Sequence, residues 1–72
     1  MKEYIREQVS ALRYRYPEGT CVRLFGIHDV PDGTLGVIDF IDDVGVVFIE
    51  TPEGVRNVAL SPTDAGTRFV KE

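Results

Sequence analysis

Between Gly33 and Thr51 the chain reads GTLGVIDFIDDVGVVFIET, and no other stretch limits its fold as tightly. Two runs rich in β-branched and aromatic residues, Val37 to Ile41 and Val46 to Glu50, flank the acidic tetrad Asp42-Asp43-Val44-Gly45. Such runs suit a pleated sheet, and an Asp- and Gly-containing break between them suits a tight turn, so the stretch predicts a β-hairpin. Strict alternation then turns Ile38, Phe40, Val47 and Ile49 inward. It leaves Val37, Asp39, Ile41, Val46, Phe48 and Glu50 on the outer face. Both faces are apolar. Either an amphipathic helix lies across the outer one, or it is an exposed patch made for another protein.

What surrounds the hairpin must fit into 72 residues. A chain this short buries only about 60% of the surface its unfolded form exposes, which implies one domain over residues 1–72 with a thin core. With 43% hydrophobic and 28% charged residues, the composition is that of an ordinary globular domain. Cys21 is the single cysteine, so no intrachain disulfide can form. The charged start Met1-Lys2-Glu3 leads into no apolar run long enough for a signal peptide or a membrane span. The expected setting is therefore a reducing cytoplasm, away from membranes.

Met1, Ile5, Val9, Leu12 and Tyr16 recur at helical spacing and predict an amphipathic helix over residues 1–16, with its helical turns within about 2–15. Pro17 removes a backbone donor and disfavours the α conformation at Tyr16, so the helix ends there. Thr20 to Phe25 follows as a strand with Val22 and Leu24 inward and Cys21, Arg23 and Phe25 on the other side. Ile27 to Gly33, with its Pro and terminal Asp-Gly, reads as an irregular loop. After the hairpin come a turn at Thr51-Pro52-Glu53-Gly54, a strand from Val55 to Leu60, a turn or 3₁₀ piece at Ser61-Pro62-Thr63-Asp64, and a closing strand from Thr67 to Val70. Five short strands in residues 20–70 cannot leave both faces of a flat sheet in water. The fold class is thus mainly β with one N-terminal helix, the strands curling into a small antiparallel barrel.

Chemistry-bearing residues are few. Cys21 and His28 are the only thiol and the only imidazole, but their odd separation puts them on opposite faces of an extended strand, and only a bend at Gly26 could bring them together as a nucleophilic pair. Asp29, Asp32, Asp39, Asp42 and Asp43 crowd two loops without the spacing of a calcium loop or the ligands of a zinc site. The glycines at 33, 36 and 45 precede neither a Lys-Ser/Thr nor a helix, so they form no phosphate loop. No catalytic residue, metal or cofactor is implied.

The order Tyr16-Pro17-x-Gly19-Thr20, Val22-x-Leu24, Pro31-x-Gly33-Thr34-x-Gly36-x-Ile38 and Asp42-Asp43-x-Gly45, followed by a hydrophobic strand ending before Gly54, resembles a family of small proteins catalogued as a domain of unknown function. The resemblance covers roughly Leu12 to Val70. It implies an SH3-like barrel and a setting in Gram-positive bacteria, phages and mobile elements, and it carries no catalytic residues. Such proteins usually show an aromatic residue and an Asn-Gly turn where this chain has Thr51 and Glu53-Gly54.

Together these features favour a non-catalytic protein-interaction module, with a host protein or a second copy of the chain as partner and inhibition of a host protein as one form of the activity. Its expected contact residues are Val37, Ile41, Val46 and Phe48 with Asp42 and Asp43. The alternative is a nucleic-acid-associated accessory protein using Arg6, Arg13, Arg15 and Arg23 with an exposed Tyr14. The charge disfavours it. Net charge is −4, and residues 26–72 carry only Arg56, Arg68 and Lys71 against most of the carboxylates.

Overall fold

The computed structural model describes residues 6–72. Helix α1 spans Arg6–Arg15. Val9 and Leu12 are buried on one side of it, and Tyr16, one residue past its end, is buried with them. The Tyr16 amide donates to the Leu12 carbonyl at 2.9 Å, closing the last turn just before Pro17 halts the helix. Met1 and Ile5, the first positions of the expected stripe, lie outside the described residues.

Five strands follow: β1 (Cys21–Leu24), β2 (Thr34–Ile41), β3 (Val47–Glu50), β4 (Val58–Leu60) and β5 (Phe69–Lys71), with a 3₁₀ turn at Pro62–Asp64 between the last two. They pair antiparallel in the order β4-β3-β2-β1-β5, a meander whose final strand returns to the free side of β1. Side chains from every strand join one cluster: Val22 and Leu24, Ile38 and Ile41, Val47 and Ile49, Val58, and Phe69. A flat sheet could not bring its two edges to one cluster, so the meander curls into a half-barrel. Val9, Leu12 and Tyr16 enter this same cluster. The helix therefore packs on the concave side and closes the open mouth of the barrel, with the Tyr16 ring edge-on to Phe69 at 5.2 Å.

The hairpin departs from strict alternation at one place. Ile38 pairs with Ile49 and Phe40 with Phe48, so two residues of β2 advance against one of β3, and Asp39 is the extra residue of a β-bulge. Everything after it changes sides. Ile41, expected on the outer face, is buried in the core, whereas Phe40, expected inward, is 51% exposed. Three smaller differences have local causes. Strand β2 begins at Thr34, because Arg23 and Leu24 pair with Leu35 and Thr34. Strand β4 begins only at Val58, since the Thr51 hydroxyl donates to the carbonyls of Val55 and Arg56 at 2.9 Å and holds that segment as a loop. Strand β5 runs from Phe69 because the amides of Thr67 and Arg68 are taken by the Asp64 carbonyl.

Candidate functional site

The helix leaves the convex side of the sheet open. Along β2 the convex side carries Leu35 and Val37, 45% and 40% exposed, and then Phe40 beyond the bulge. Cross-strand pairing extends this line into rows. Val70, Arg23 and Leu35 make the first, Cys21, Val37 and Glu50 the second, and Phe40, Phe48 and Ala59 the third. In the third row the rings of Phe40 and Phe48 stack at 4.5 Å and 18°, so the half-buried Phe48 is shielded by a more exposed Phe40. The result is a continuous apolar band across the middle of the convex face.

Two depressions bracket the band. One, of about 400 Å³, has Leu35, Val37, Cys21 and Pro52 in its walls and Glu50 at its edge. The other, of about 200 Å³, lies between Phe40, Tyr16 and Pro17, with Glu18 and Asp39 on its rim. A larger hollow of about 520 Å³ separates α1 from the hairpin turn. Its polar walls, Arg6, Ser10, Arg13 and Asp43, are bridged by the Arg13–Asp43 pair at 3.3 Å, and it shares nothing with the apolar band.

Of the expected contact residues, Val37 and Phe48 lie on the convex face and Val46 is half-buried at the start of the second hairpin arm. Ile41 does not belong to the surface. Asp42 is occupied in the turn: its Oδ1 accepts from the amides of Val44 at 3.1 Å and Val46 at 2.8 Å, while Gly45, at φ 96°, supplies the left-handed residue that the turn needs. Asp43 is fully solvated on its far side and touches only Arg13. Phe40 is the surface residue that alternation misses, and Leu35, which shares the face of Val37, falls outside the run expected from Val37 to Ile41. A count of one extra residue between Ile38 and Phe40, set against β3, would have found Phe40.

The basic residues separate into two sets. Arg13 donates from Nε and Nη2 to the Ile41 carbonyl at 3.0 and 2.8 Å, fastening the helix to the hairpin. Arg23 is held by Glu72 at 2.8 Å and by the Gly33 carbonyl at 2.9 Å. Both act as structural ties, with their side chains 47% and 44% exposed. Arg6, Arg15 and Tyr14 stay in solvent on α1, Tyr14 being 88% exposed and Arg15 leaning over the Tyr16 ring at 5.4 Å.

Cys21 is exposed near one end of β1, and His28 sits in the loop beyond its other end, with its imidazole 3.4 Å from Asp29. The run of β1 stands between them. Among the described residues no group of three or more His, Cys, Asp or Glu side chains is placed to hold a metal ion. No helix among them is long and apolar enough to cross a membrane.

No curated protein and no solved structure matches the chain. One family model does, over residues 5–67, so helix α1 and strands β1 to β4 fall within it and β5 lies beyond. The chain belongs to the family described as Domain of unknown function (DUF4314).

Proposed function

We propose that this protein is a non-catalytic protein-interaction module of the cytoplasm, working in a phage or mobile-element setting, and that it docks its partner on the convex face of the sheet. The observation that carries this reading is the side on which the helix packs. A domain of this size has one amphipathic helix to cover apolar surface, and α1 is used up on the concave side, leaving Leu35, Val37 and Phe40 in water. Exposing such a band costs solubility and is retained where a partner covers it. Asp43, at the tip of the hairpin, turns to Arg13 of α1 and stands apart from this band. Inhibition of a host protein fits a domain that offers an exposed apolar surface.

The test is comparative. Wild-type protein and the variants Val37→Ser and Phe40→Ser are each used to capture partners from host lysate, after thermal melts establish that the variants fold. A partner retained by wild type and lost from both variants supports the reading. Retention by both variants contradicts it.

Nucleic-acid association is the second reading, and the outward set of Arg6, Tyr14 and Arg15 on α1 favours it. Its weakness is the charge of the rest of the molecule, which repels phosphates. Salt-sensitive retention on single-stranded DNA or RNA, lost in Arg15→Glu, would establish it.

A further inference from the structure

The apolar band does not stand alone on the convex face; carboxylates stand around it. Glu50 is the direct cross-strand neighbour of Val37 and edges the larger depression. Glu18 and Asp39 edge the smaller one beside Phe40. Among the described residues no cation lies within salt-bridge distance of any of these three. The one cation in the rows of the band, Arg23, is neutralised by Glu72. Arg13, which lines the smaller depression together with Ile41, gives its guanidinium to the Ile41 carbonyl and Asp43. Arg15 and Lys71 lie over the ring of Tyr16, another of its walls, at 5.4 and 5.6 Å, so the larger depression with Glu50 is the more strongly acidic of the two.

From this arrangement, and resting on the docking surface proposed above, we infer that the partner of the convex face is a basic polypeptide segment: two apolar side chains seated in the depressions beside Val37 and Phe40, each flanked by Lys or Arg facing Glu50 and Glu18. Charge complementarity selects this occupant over the others. A second copy of the chain would meet the face through a two-fold axis and bring the Glu18, Asp39 and Glu50 carboxylates of both copies to one interface, a repulsion of like charges that a basic segment does not meet. Nucleic acid would bring phosphates to the same carboxylates. An acidic or neutral segment would leave the depressions filled and their rims unpaired. Val37 and Phe40 are three residues apart on one strand with the bulge at Asp39 between them, so the two anchors of the partner are spaced by less than the roughly 10 Å that three regular residues at about 3.3 Å would span.

Selection from a random peptide library displayed on yeast tests this and presupposes no particular partner sequence. The peptides enriched by wild-type protein are expected to place Leu, Ile or Phe beside Lys or Arg and to be depleted of Asp and Glu. A synthetic representative should bind more weakly as salt rises, and the double change Glu18→Lys with Glu50→Lys should weaken it about tenfold, two exposed pairs at about threefold each. Phe40→Ser, shown by its melt to be folded, should abolish binding. Enriched peptides that are lost in Phe40→Ser yet show no excess of basic residues, or that bind the Glu18/Glu50 variant as well as wild type, overturn the basic partner and leave the docking surface standing. Enriched peptides indifferent to both Val37→Ser and Phe40→Ser, or no enrichment at all, overturn the surface itself. Sedimentation of wild type as a dimer that Phe40→Ser converts to monomer assigns the face to a second copy and likewise overturns the inference.

Discussion

Gly36 occupies a place where a side chain has no room. A Cβ built there would lie 2.6 Å from the Ile49 Cγ2 methyl and 3.2 Å from the Glu50 carbonyl oxygen. Ile49 is itself packed in the core and Glu50 belongs to the neighbouring strand, so neither can retreat without moving β3 against β2. Gly36→Ala is expected to cost about 1–3 kcal/mol, the usual range for overpacking a core. In a domain of this size each kcal/mol lowers the melting temperature by about 4–8 °C, and a melt unchanged from wild type would show that β3 yields. Asp42 acts through hydrogen bonds and not through volume. Asp42→Ala removes the acceptor of two turn amides and should cost about 1–2 kcal/mol, whereas Asp42→Asn keeps an oxygen at the same place and should recover most of it. Equal losses in the two variants would mean that charge, not the acceptor, holds the turn.

Helix α1 is a lid on the concave side, held by packing and by one arginine. Leu12→Ala opens a cavity under the lid and is expected to lose about 2–5 kcal/mol, a large part of the stability such a domain has, so its denaturation midpoint should fall steeply. A midpoint near wild type would mean that the lid is not part of the core. The sequence shows that this helix is amphipathic, since Val9, Leu12 and Tyr16 keep helical spacing, but it does not show which side of the sheet it covers. That choice depends on where the curled sheet leaves its mouth, a property of all five strands together. Arg13 reads as a solvated charge for the same reason, because its acceptor at Ile41 lies 28 residues away. Strand β1 was legible in its facing, Val22 and Leu24 being buried as expected, and is one residue shorter at each end than the expected Thr20 to Phe25. Strand β2 was legible up to Ile38. The bulge at Asp39 is decided by pairing with β3 and leaves no mark in local alternation, which is why Phe40 and Ile41 exchange faces. Val30 shows a similar limit, a core residue inside what reads as an irregular loop, drawn in by its bridge to Ile27.

At the scale of the whole molecule the two faces of the sheet have different tolerances. Phe48 stacks on Phe40 on the convex side and is only half-buried, so Phe48→Asp removes an aromatic pair worth about 0.5–1.5 kcal/mol and some burial, yet should keep a cooperative thermal transition while losing the partner. An unfolded Phe48→Asp at room temperature would show that the convex band is structural. The candidate surface was legible in sequence as an apolar second face, but its membership was not, because the bulge and the carboxylate rim emerge only once β1, β2 and β3 are side by side. The contact between Tyr16 and Phe69 has a further consequence, one of time. The hairpin of β2 and β3 joins near neighbours in sequence and can form early, but the core it faces is completed by a residue near the end of the chain. During synthesis the half-barrel must wait, its concave side wet, until Phe69 has emerged. Growing chains halted before Phe69 should accordingly remain open to protease along their whole length, and those that include β5 should become resistant in a single step.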